Sequence, residues 1–591
     1  MSEPQNEATS SPRQLIIGAV IILFFGALIY SNSLQGPFIL DDLHQIVENP
    51  AIRRVWPPAW LYAGNRPVPY LTFAANYFLH GLDVYGYHLV NVSIHILASL
   101  VLFGVVRRTL KLASLRNRYG GHAHWIALGT ALIWMSHPLQ TQSVNYVIQR
   151  MESLMGLFYL MTVWGFIAAQ QSRKPLAWYA LSILACALGM ATKEVIATAP
   201  IIVLSFDRCF VANSWRQILQ TRRTYYAGLC ATWIALAYFG PWSALQSMLT
   251  QPRAGVLTVA AEVNSATLNS AVDALTPLSY ALSQPGVICH YLRLCLLPIG
   301  QCLDPWWPVA STPAQIIPPT LLIVALLAVT FWSLYRHPKW GFLGWWFFLI
   351  LAPTSTIVPI SDLAFEHRMY LPLATIAALF VIGGLEIVQR WKWMMPRRWL
   401  FAVIPTVVLL LGTVTYVRNK DYQSAVDIWS DVVEKARHNP RALNNYGLAL
   451  DEKGELAAAL KCFHEVIRVH PDYLQLSDVY MNVGSVHQQL KHFELAVQYN
   501  QDALKLAPGN YKAMTNLGIT LITSGDAEAA LPLFEKAVEL APNNAEFHTN
   551  LGQALIVLRR KEAATRHFHR ALELDPRCDR ARYNLEQSKN L

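Results

Sequence analysis

The 591-residue chain is 54% hydrophobic, has only 14% charged residues and carries a formal net charge of +10. A water-soluble chain carries about 25% charged residues, so the composition excludes an ordinary soluble enzyme and points to a polytopic membrane protein. The charge is uneven, with 30 basic and 19 acidic residues before position 441 and 17 and 18 after it. Positive-inside bias of membrane loops explains this better than a nucleic-acid partner.

The first apolar run, 15–35, follows a polar leader with one arginine, Arg13, and no small-residue cleavage site succeeds it. It reads as a retained first helix. Ten further spans are expected at 87–106, 124–138, 152–170, 176–191, 194–211, 224–240, 314–335, 341–358, 368–389 and 399–417, making eleven. Basic clusters fill alternate gaps: Arg107, Arg108, Lys111, Arg116 and Arg118; Arg173 and Lys174; Arg208, Arg216, Arg222 and Arg223; Arg336 and Lys339; Arg390, Lys392, Arg397 and Arg398. With all five in the cytosol, the N-terminus lies inside and everything beyond 418 faces outward. The segment 285–300 contains His290 and Arg293, and counting it as a crossing would break the alternation. It reads as re-entrant or interfacial.

The first outer stretch, 36–86, is longer than a hairpin needs and carries Trp56, Trp60, Tyr62, Tyr70 and Tyr77, which suit a headgroup interface. It opens with FILDDLHQIVENP at 38–50. Asp41 and Asp42 there either cap the next helix or serve chemistry. Arg66, His137, Glu152, Lys193, Glu194, Glu366 and Arg368 fall on the same expected face. Ionisable groups at a bilayer edge need partners or a cavity. Carboxylates and cations together suit proton removal from an acceptor and stabilisation of a phosphate leaving group; an ion pathway would use the same residues. His88 and His95 share a helical face, without the further ligands a metal site needs. Cysteines show no CxxC pair; Cys289, Cys295 and Cys302 lie on one outer segment.

After residue 438 a repeat begins. Gly447, Gly484, Gly518 and Gly552 stand 37, 34 and 34 residues apart, and Pro471, Pro508, Pro542, Pro576 and Ala459, Ala496, Ala530, Ala564 keep those steps. A period of 34 with Asn-x-Gly early, alanine midway and proline last is the tetratricopeptide (TPR) signature. The step of 37 marks an insertion around 474–476. The expected domains are a membrane region at 1–418, a linker or docking helix at 419–437 and about four repeats at 438–591: an all-α bundle followed by an α-solenoid that would gather a protein partner.

These features in order resemble the GT-C superfamily of membrane glycosyltransferases. The likeness is strongest to the transmembrane-and-TPR-containing O-mannosyltransferase family and its bacterial relatives. It rests on the acidic pair before Asn49, HisPro at 137–138, QRMES at 149–153, LysGlu at 193–194, Glu-x-Arg-x-Tyr-Leu-Pro at 366–372, Arg418-Asn419 with Trp429, and the repeats. The resemblance implies transfer of sugar from a polyprenyl-phosphate carrier to an extracytoplasmic acceptor, Ser or Thr of a protein, with inversion, in a bacterial inner membrane. It places Asp42 as general base with Asp41 orienting it or binding acceptor; Glu152, His137 and Glu366 at acceptor or sugar; and Lys193, Arg368, Arg66 and Arg293 at the carrier phosphate. Eukaryotic members often have Gly-Arg-Ala-Asp where this chain has Gln-Arg-Met-Glu at 149–152. No metal or other cofactor is expected, although members that transfer oligosaccharides use a divalent cation. An oligosaccharyl or O-antigen-type transferase and a non-enzymatic TPR scaffold are the rival readings.

Overall fold

Prolines open many helices in the computed structural model, which describes residues 12–61, 66–239, 276–356, 358–360, 362–390 and 398–590. Pro67, Pro175, Pro277, Pro313 and Pro338 stand at or next to the first helical position, where proline's missing N–H would have had no partner anyway. The described residues form helices and turns. The chain divides into two compact units, with described residues up to Asp427 in the first and those from Ile428 in the second.

The first unit contains α1 (Pro12–Ile29), α2 (Pro67–His80), α3 (Val84–Leu110), α4 (Ala123–Ser136), α5 (Arg150–Gln170), α6 (Pro175–Met190), α7 (Ala199–Phe206), α8 (Trp215–Ala231), α9 (Pro277–Leu296), α10 (Pro313–Arg336), α11 (Pro338–Leu351), α12 (Leu373–Arg390) and α13 (Arg398–Arg418), with shorter turns between them. Six of the expected eleven spans are matched by helices of membrane length and hydropathy among the described residues: Pro12–Ile29, Val84–Leu110, Val147–Gln170, Pro313–Arg336, Leu373–Arg390 and Ala402–Tyr422. The other five fall in shorter pieces. α4 has 14 residues, about 21 Å of helix against a hydrocarbon core of about 30 Å. It stops because Pro138 forces His137 into extended backbone, ψ 131°. The run at 194–211 breaks into a 3-10 turn (Glu194–Thr198), α7 and a wide turn (Asp207–Val211). Thr232 separates α8 from Trp233–Phe239. Tyr62, residues 241–275 of the expected outer loop, and Lys392 and Arg397 lie outside the described residues.

Side-chain bonds fix how these helices run. Ser99 Oγ donates to Ala131 O at 3.3 Å, and Arg150 Nε to Asn91 Oδ1 at 2.7 Å. α4 therefore runs antiparallel to α3 and returns the chain to where α5 starts. α6 runs back along α5, with Ser182 Oγ on Thr162 O at 2.7 Å. Trp134, Tyr159, Phe166 and Tyr370 are fully buried between the helices, and Trp134 Nε1 donates to Tyr370 O at 2.7 Å. Both ring nitrogens of His95 are engaged, with Tyr370 Oη at 3.0 Å and Met135 O at 3.1 Å, which leaves none for a metal. All eight cysteines are free.

The second unit stacks four helix pairs: Pro440–Glu452 with Leu456–Val469, Leu476–Gln489 with Phe493–Leu506, Tyr511–Ser524 with Ala527–Leu540, and Ala545–Val557 with Lys561–Leu574. Asp579–Asn590 closes the series. The repeated glycines sit where the paired helices touch. A Cβ at Gly447, Gly518 or Gly552 would stand 2.5–2.7 Å from the ring of Phe463, Phe534 or Phe568, and one at Gly484 would meet Asn500 at 2.5 Å. Gly552→Ala in the isolated repeats is expected to cost about 1–3 kcal/mol by overpacking, read as a lower thermal midpoint by circular dichroism.

Candidate active site

The expected site residues come from loops and helix ends gathered at one end of the first unit, and the structure sorts them into distinct roles. Asp41 and Asp42 follow a left-handed residue, Leu40 at φ 47°, and lie on one helical turn, where successive side chains diverge by about 100°. Asp42 is fully buried. Its Oδ1 accepts from Ile148 N at 2.7 Å and its Oδ2 from Ile39 N at 3.0 Å. It makes no side-chain cap bond to the turn Leu43–Val47, so the helix-cap reading fails. Neither carboxyl oxygen of Asp42, the base that the resemblance implies, is exposed to solvent, and each accepts one backbone N–H. Burial pushes its pKa up to about 8, against the pull of the Ile39 and Ile148 N–H groups. Asp41 is exposed, and its N–H donates to the buried Tyr146 hydroxyl at 2.9 Å, which also bonds its carboxylate.

Two ion pairs follow. Lys193 Nζ lies 2.7 Å from Glu152 Oε2, with the side chains only 13% and 4% exposed. Arg66 grips Glu194 with its fork: Nη2 donates to both carboxylate oxygens, at 2.9 and 3.0 Å, and Nε to Oε1 at 3.2 Å, while Nη1 reaches Met151 Sδ at 3.3 Å. Burial works against the Arg66 charge, and Glu194, Tyr70 and Glu152 more than restore it. Tyr70 connects this cluster to the aspartates: burial raises its pKa, Arg66 pulls it back and Asp41 adds to the rise. Its hydroxyl lies within the fields of both charges and donates to Gln45.

His367 completes the arrangement. It is buried, its backbone N–H donates to Gln142 Oε1 at 2.8 Å, and its Nδ1 has no hydrogen-bond partner among the described residues. Burial first, and then the charges of Lys193, Arg368 and Arg66, push its pKa well below the usual imidazole range. A neutral imidazole within the fields of three cations suits an anion.

The remaining expected residues hold the scaffold. Arg368 spends its guanidinium on backbone carbonyls: Nη1 on Leu363 O (2.9 Å) and Thr354 O (3.3 Å), and Nη2 on Asp362 O (2.5 Å). It contributes field, while its donors tie down loop 352–369. Glu366 accepts from Cys302 N at 2.7 Å and Gln301 Nε2 at 3.1 Å. His137 accepts from Leu139 N at 3.2 Å through Nδ1 and bonds Cys295 O at 3.1 Å through Nε2. Arg293 is exposed and turns onto Ile299 O and His290. In this structure Glu366 and His137 thus hold chain-distant backbone groups, and Arg293 holds neighbours on its own segment. The residues that sequence reasoning passed over are Tyr70, Tyr146 and Gln142, aromatic or amide groups whose role appears only through contacts across 25 to 225 positions.

Comparison with known proteins supplies relatives. Models described as tetratricopeptide repeat match residues 438–509, 484–545 and 521–587. Over most of its length the chain is similar to proteins described as protein O-mannosyl-transferases. It is 24% identical to Tmtc3 of Drosophila melanogaster (85% of this chain, 60% of that protein). It is 23% identical to human TMTC3 (84% and 55%) and 24% identical to human TMTC4 (76% and 65%). The relationship is distant, and the chain spans 55–65% of the length of these relatives. Among solved structures it is similar to TTC0263, a thermophilic TPR protein of Thermus thermophilus (18% identity, 31% of this chain, 95% of that one, TM-score 0.26), and to YrrB, a TPR protein with an unusual peptide-binding site (19%, 35%, 97%, TM-score 0.23).

The buried groups make two measurable demands on stability. Lys193→Met leaves Glu152 charged and unpaired and is expected to cost about 3–5 kcal/mol; adding Glu152→Leu recovers most of it, read as thermal midpoints of the three variants in detergent. Asp42 keeps its proton up to about pH 8 when folded, whereas an unfolded aspartate loses it near pH 4. The unfolded chain thus binds fewer protons in that window, and this contribution to stability falls as pH rises through it and is flat above. Asp42→Asn should remove that slope from a plot of melting temperature against pH.

Proposed function

We propose that the chain is a membrane glycosyltransferase that moves a sugar from a polyprenyl-phosphate carrier to a serine or threonine hydroxyl of an acceptor outside the cytosol, with inversion at the anomeric carbon. The single observation behind this reading is the pair of ion pairs Lys193–Glu152 and Arg66–Glu194, near enough that Lys193 and Arg66, with Arg368, act electrostatically on the buried His367, while the exposed Asp41 carboxylate and Arg66 are both felt at Tyr70. In the step, the acceptor oxygen bonds to the anomeric carbon as its proton passes to the Asp41 carboxylate. The carbon–oxygen bond to phosphate breaks, and the phosphate keeps the electron pair. Lys193 and Arg66 neutralise the charge that develops there, and Glu152 and Glu194 hold those cations in place. The base role moves from Asp42 to Asp41 because only Asp41 is reachable. The relatives' description as protein O-mannosyl-transferases makes mannose the first sugar to test.

Eleven crossings and an outward site belong to the same proposal. Contacts at one end of the bundle join Arg108 to Gln171, Arg222 to Asp207 and Gln170, Ser114 to Phe210, Lys339 to Ser114 and Arg118 to Glu386. This supports gathering the described members of the basic clusters at that end. Contacts at the other end join Asp42 to Ile148, Arg150 to Asn91, Lys193 to Glu152, His137 to Cys295 and Asn419 to Ile29. The chain therefore passes between the two ends on α4, on α6, on the broken run through α7, on α8 with Trp233–Phe239, and on α11, besides the six long helices. Short helices packed inside a bundle cross where a lone one would not. α9 has Tyr280 on Thr354 O and Cys295 on His137, so both its ends meet the site end, which supports the interfacial reading. A basic end in the cytosol sets the site and the repeats outside, where the repeats would present an acceptor.

Asp41→Asn is expected to lower turnover about 10²–10⁴-fold with the fold intact. The assay mixes purified protein, defined polyprenyl-phosphate monosaccharides and cell-envelope acceptors, and reads acceptor mass. A single-hexose increment supports the reading and a long glycan increment favours an oligosaccharide donor. Cellular function that survives Asp41→Asn and Lys193→Met but not deletion of 438–591 would mean a scaffold.

A further inference from the structure

We propose that the basic end of the bundle holds a second lipid site, for one anionic phospholipid of the cytosolic leaflet. A cavity of about 550 Å³ lies there, within the 300–1,000 Å³ of small-ligand sites. Its depth is apolar, walled by Leu102, Val106, Phe206, Phe342, Trp346 and Ala378, and its mouth carries Arg118, Arg336, His337 and Lys339. No aspartate or glutamate lines it among the described residues. Glu386 balances Arg118 in a bidentate pair, so the uncompensated charge at the mouth is that of Arg336 and Lys339. Arg336 lies over the Tyr335 ring at 5.7 Å, and Lys339 gives one of its three ammonium protons to Ser114 O at 2.5 Å. An apolar shaft under a two-cation rim fits an acyl chain below a phosphate with net negative charge. Free phosphate would use the rim and leave the shaft empty. The shaft ends at Trp346, whose Nε1 donates to Leu371 O at 3.2 Å, next to Tyr370 beneath the candidate active site. A lipid seated there would brace α11 against α12. The leaflet assignment rests on the basic end facing the cytosol; binding itself does not.

The test is native mass spectrometry of the delipidated full chain in detergent, titrated with phosphatidylglycerol, phosphatidylcholine, inorganic phosphate or polyprenyl phosphate. One phosphatidylglycerol should be retained in preference to phosphatidylcholine, and millimolar phosphate should not displace it. Arg336→Ala with Lys339→Ala should weaken retention about 30-fold, from about fivefold per cation. Arg336→Lys should retain it, and Ala378→Phe should abolish it by filling the shaft while both cations remain. If the double variant does not fold, the Ala378→Phe and Arg336→Lys pair decides alone. Equal retention of the two phospholipids, indifference to Ala378→Phe, displacement by phosphate, or displacement by equimolar polyprenyl phosphate would each overturn the proposal. Sugar transfer is assayed separately, so failure here leaves the transferase reading standing, and the reverse also holds.

Discussion

Everything at the site end depends on one buried cation. Arg150 is fully buried, and neutral groups take its donors: Nε on Asn91 Oδ1, Nη1 on Asn76 Oδ1 at 2.6 Å and Thr72 Oγ1 at 3.1 Å, and Nη2 on Tyr87 O at 2.9 Å. The ring of Phe73 covers it at 4.6 Å. A guanidinium this deep is tolerable only when every donor has an acceptor. Meeting that demand draws α2, α3 and the start of α5 into one register. Ile148, two residues earlier, then meets Asp42, and Glu152, two residues later, meets Lys193. Tyr70, two residues before Thr72 on α2, is thereby set between Arg66 and Asp41. The chemistry sits on a frame whose rigidity comes from a residue that touches no substrate in the proposed step.

Charge is distributed around that frame in a particular way. Glu152 and Glu194 each neutralise a cation and the Asp41 carboxylate offsets Arg368, so the cluster is near neutral overall and stays compatible with burial at a bilayer edge. The additional cation, Arg368, is immobilised by carbonyls and acts at a distance. A departing phosphate would meet preset partners and need little rearrangement, which is where electrostatic catalysis gains most.

Much of this was legible from residue order, and the rest was not for identifiable reasons. The repeats announced themselves because Gly447, Gly484, Gly518 and Gly552 answer a local demand, two helices in contact, that recurs at a fixed period. The long apolar helices were equally plain. The runs that become α4, α7 and α11 were read as full spans, but their shorter extents were not legible, because a packed helix can be shorter than a lipid-exposed one and its end is set by local breaks such as His137-Pro138. Ranking Asp41 against Asp42 was beyond sequence, since the Ile148 N–H that holds the buried Asp42 comes from 106 positions away. Glu366 and His137 were hard to place for a related reason: a polar side chain in a motif reads the same whether it meets a ligand or the backbone of a distant loop.

The second repeat departs from its neighbours in one detail with mechanical meaning. Three repeats press glycine against a phenylalanine, and here Gly484 faces Asn500, whose amide bonds Ala496 O at 2.8 Å and whose Oδ1 has no partner among the described residues. The repeat step that leads into it is also the longer one, 37 residues against 34. A superhelical spring of like coils with one poorly glued turn does not stretch evenly. Tension on a long captive chain would open the solenoid there first, and the curvature of the groove would change at that joint while the outer turns kept their shape.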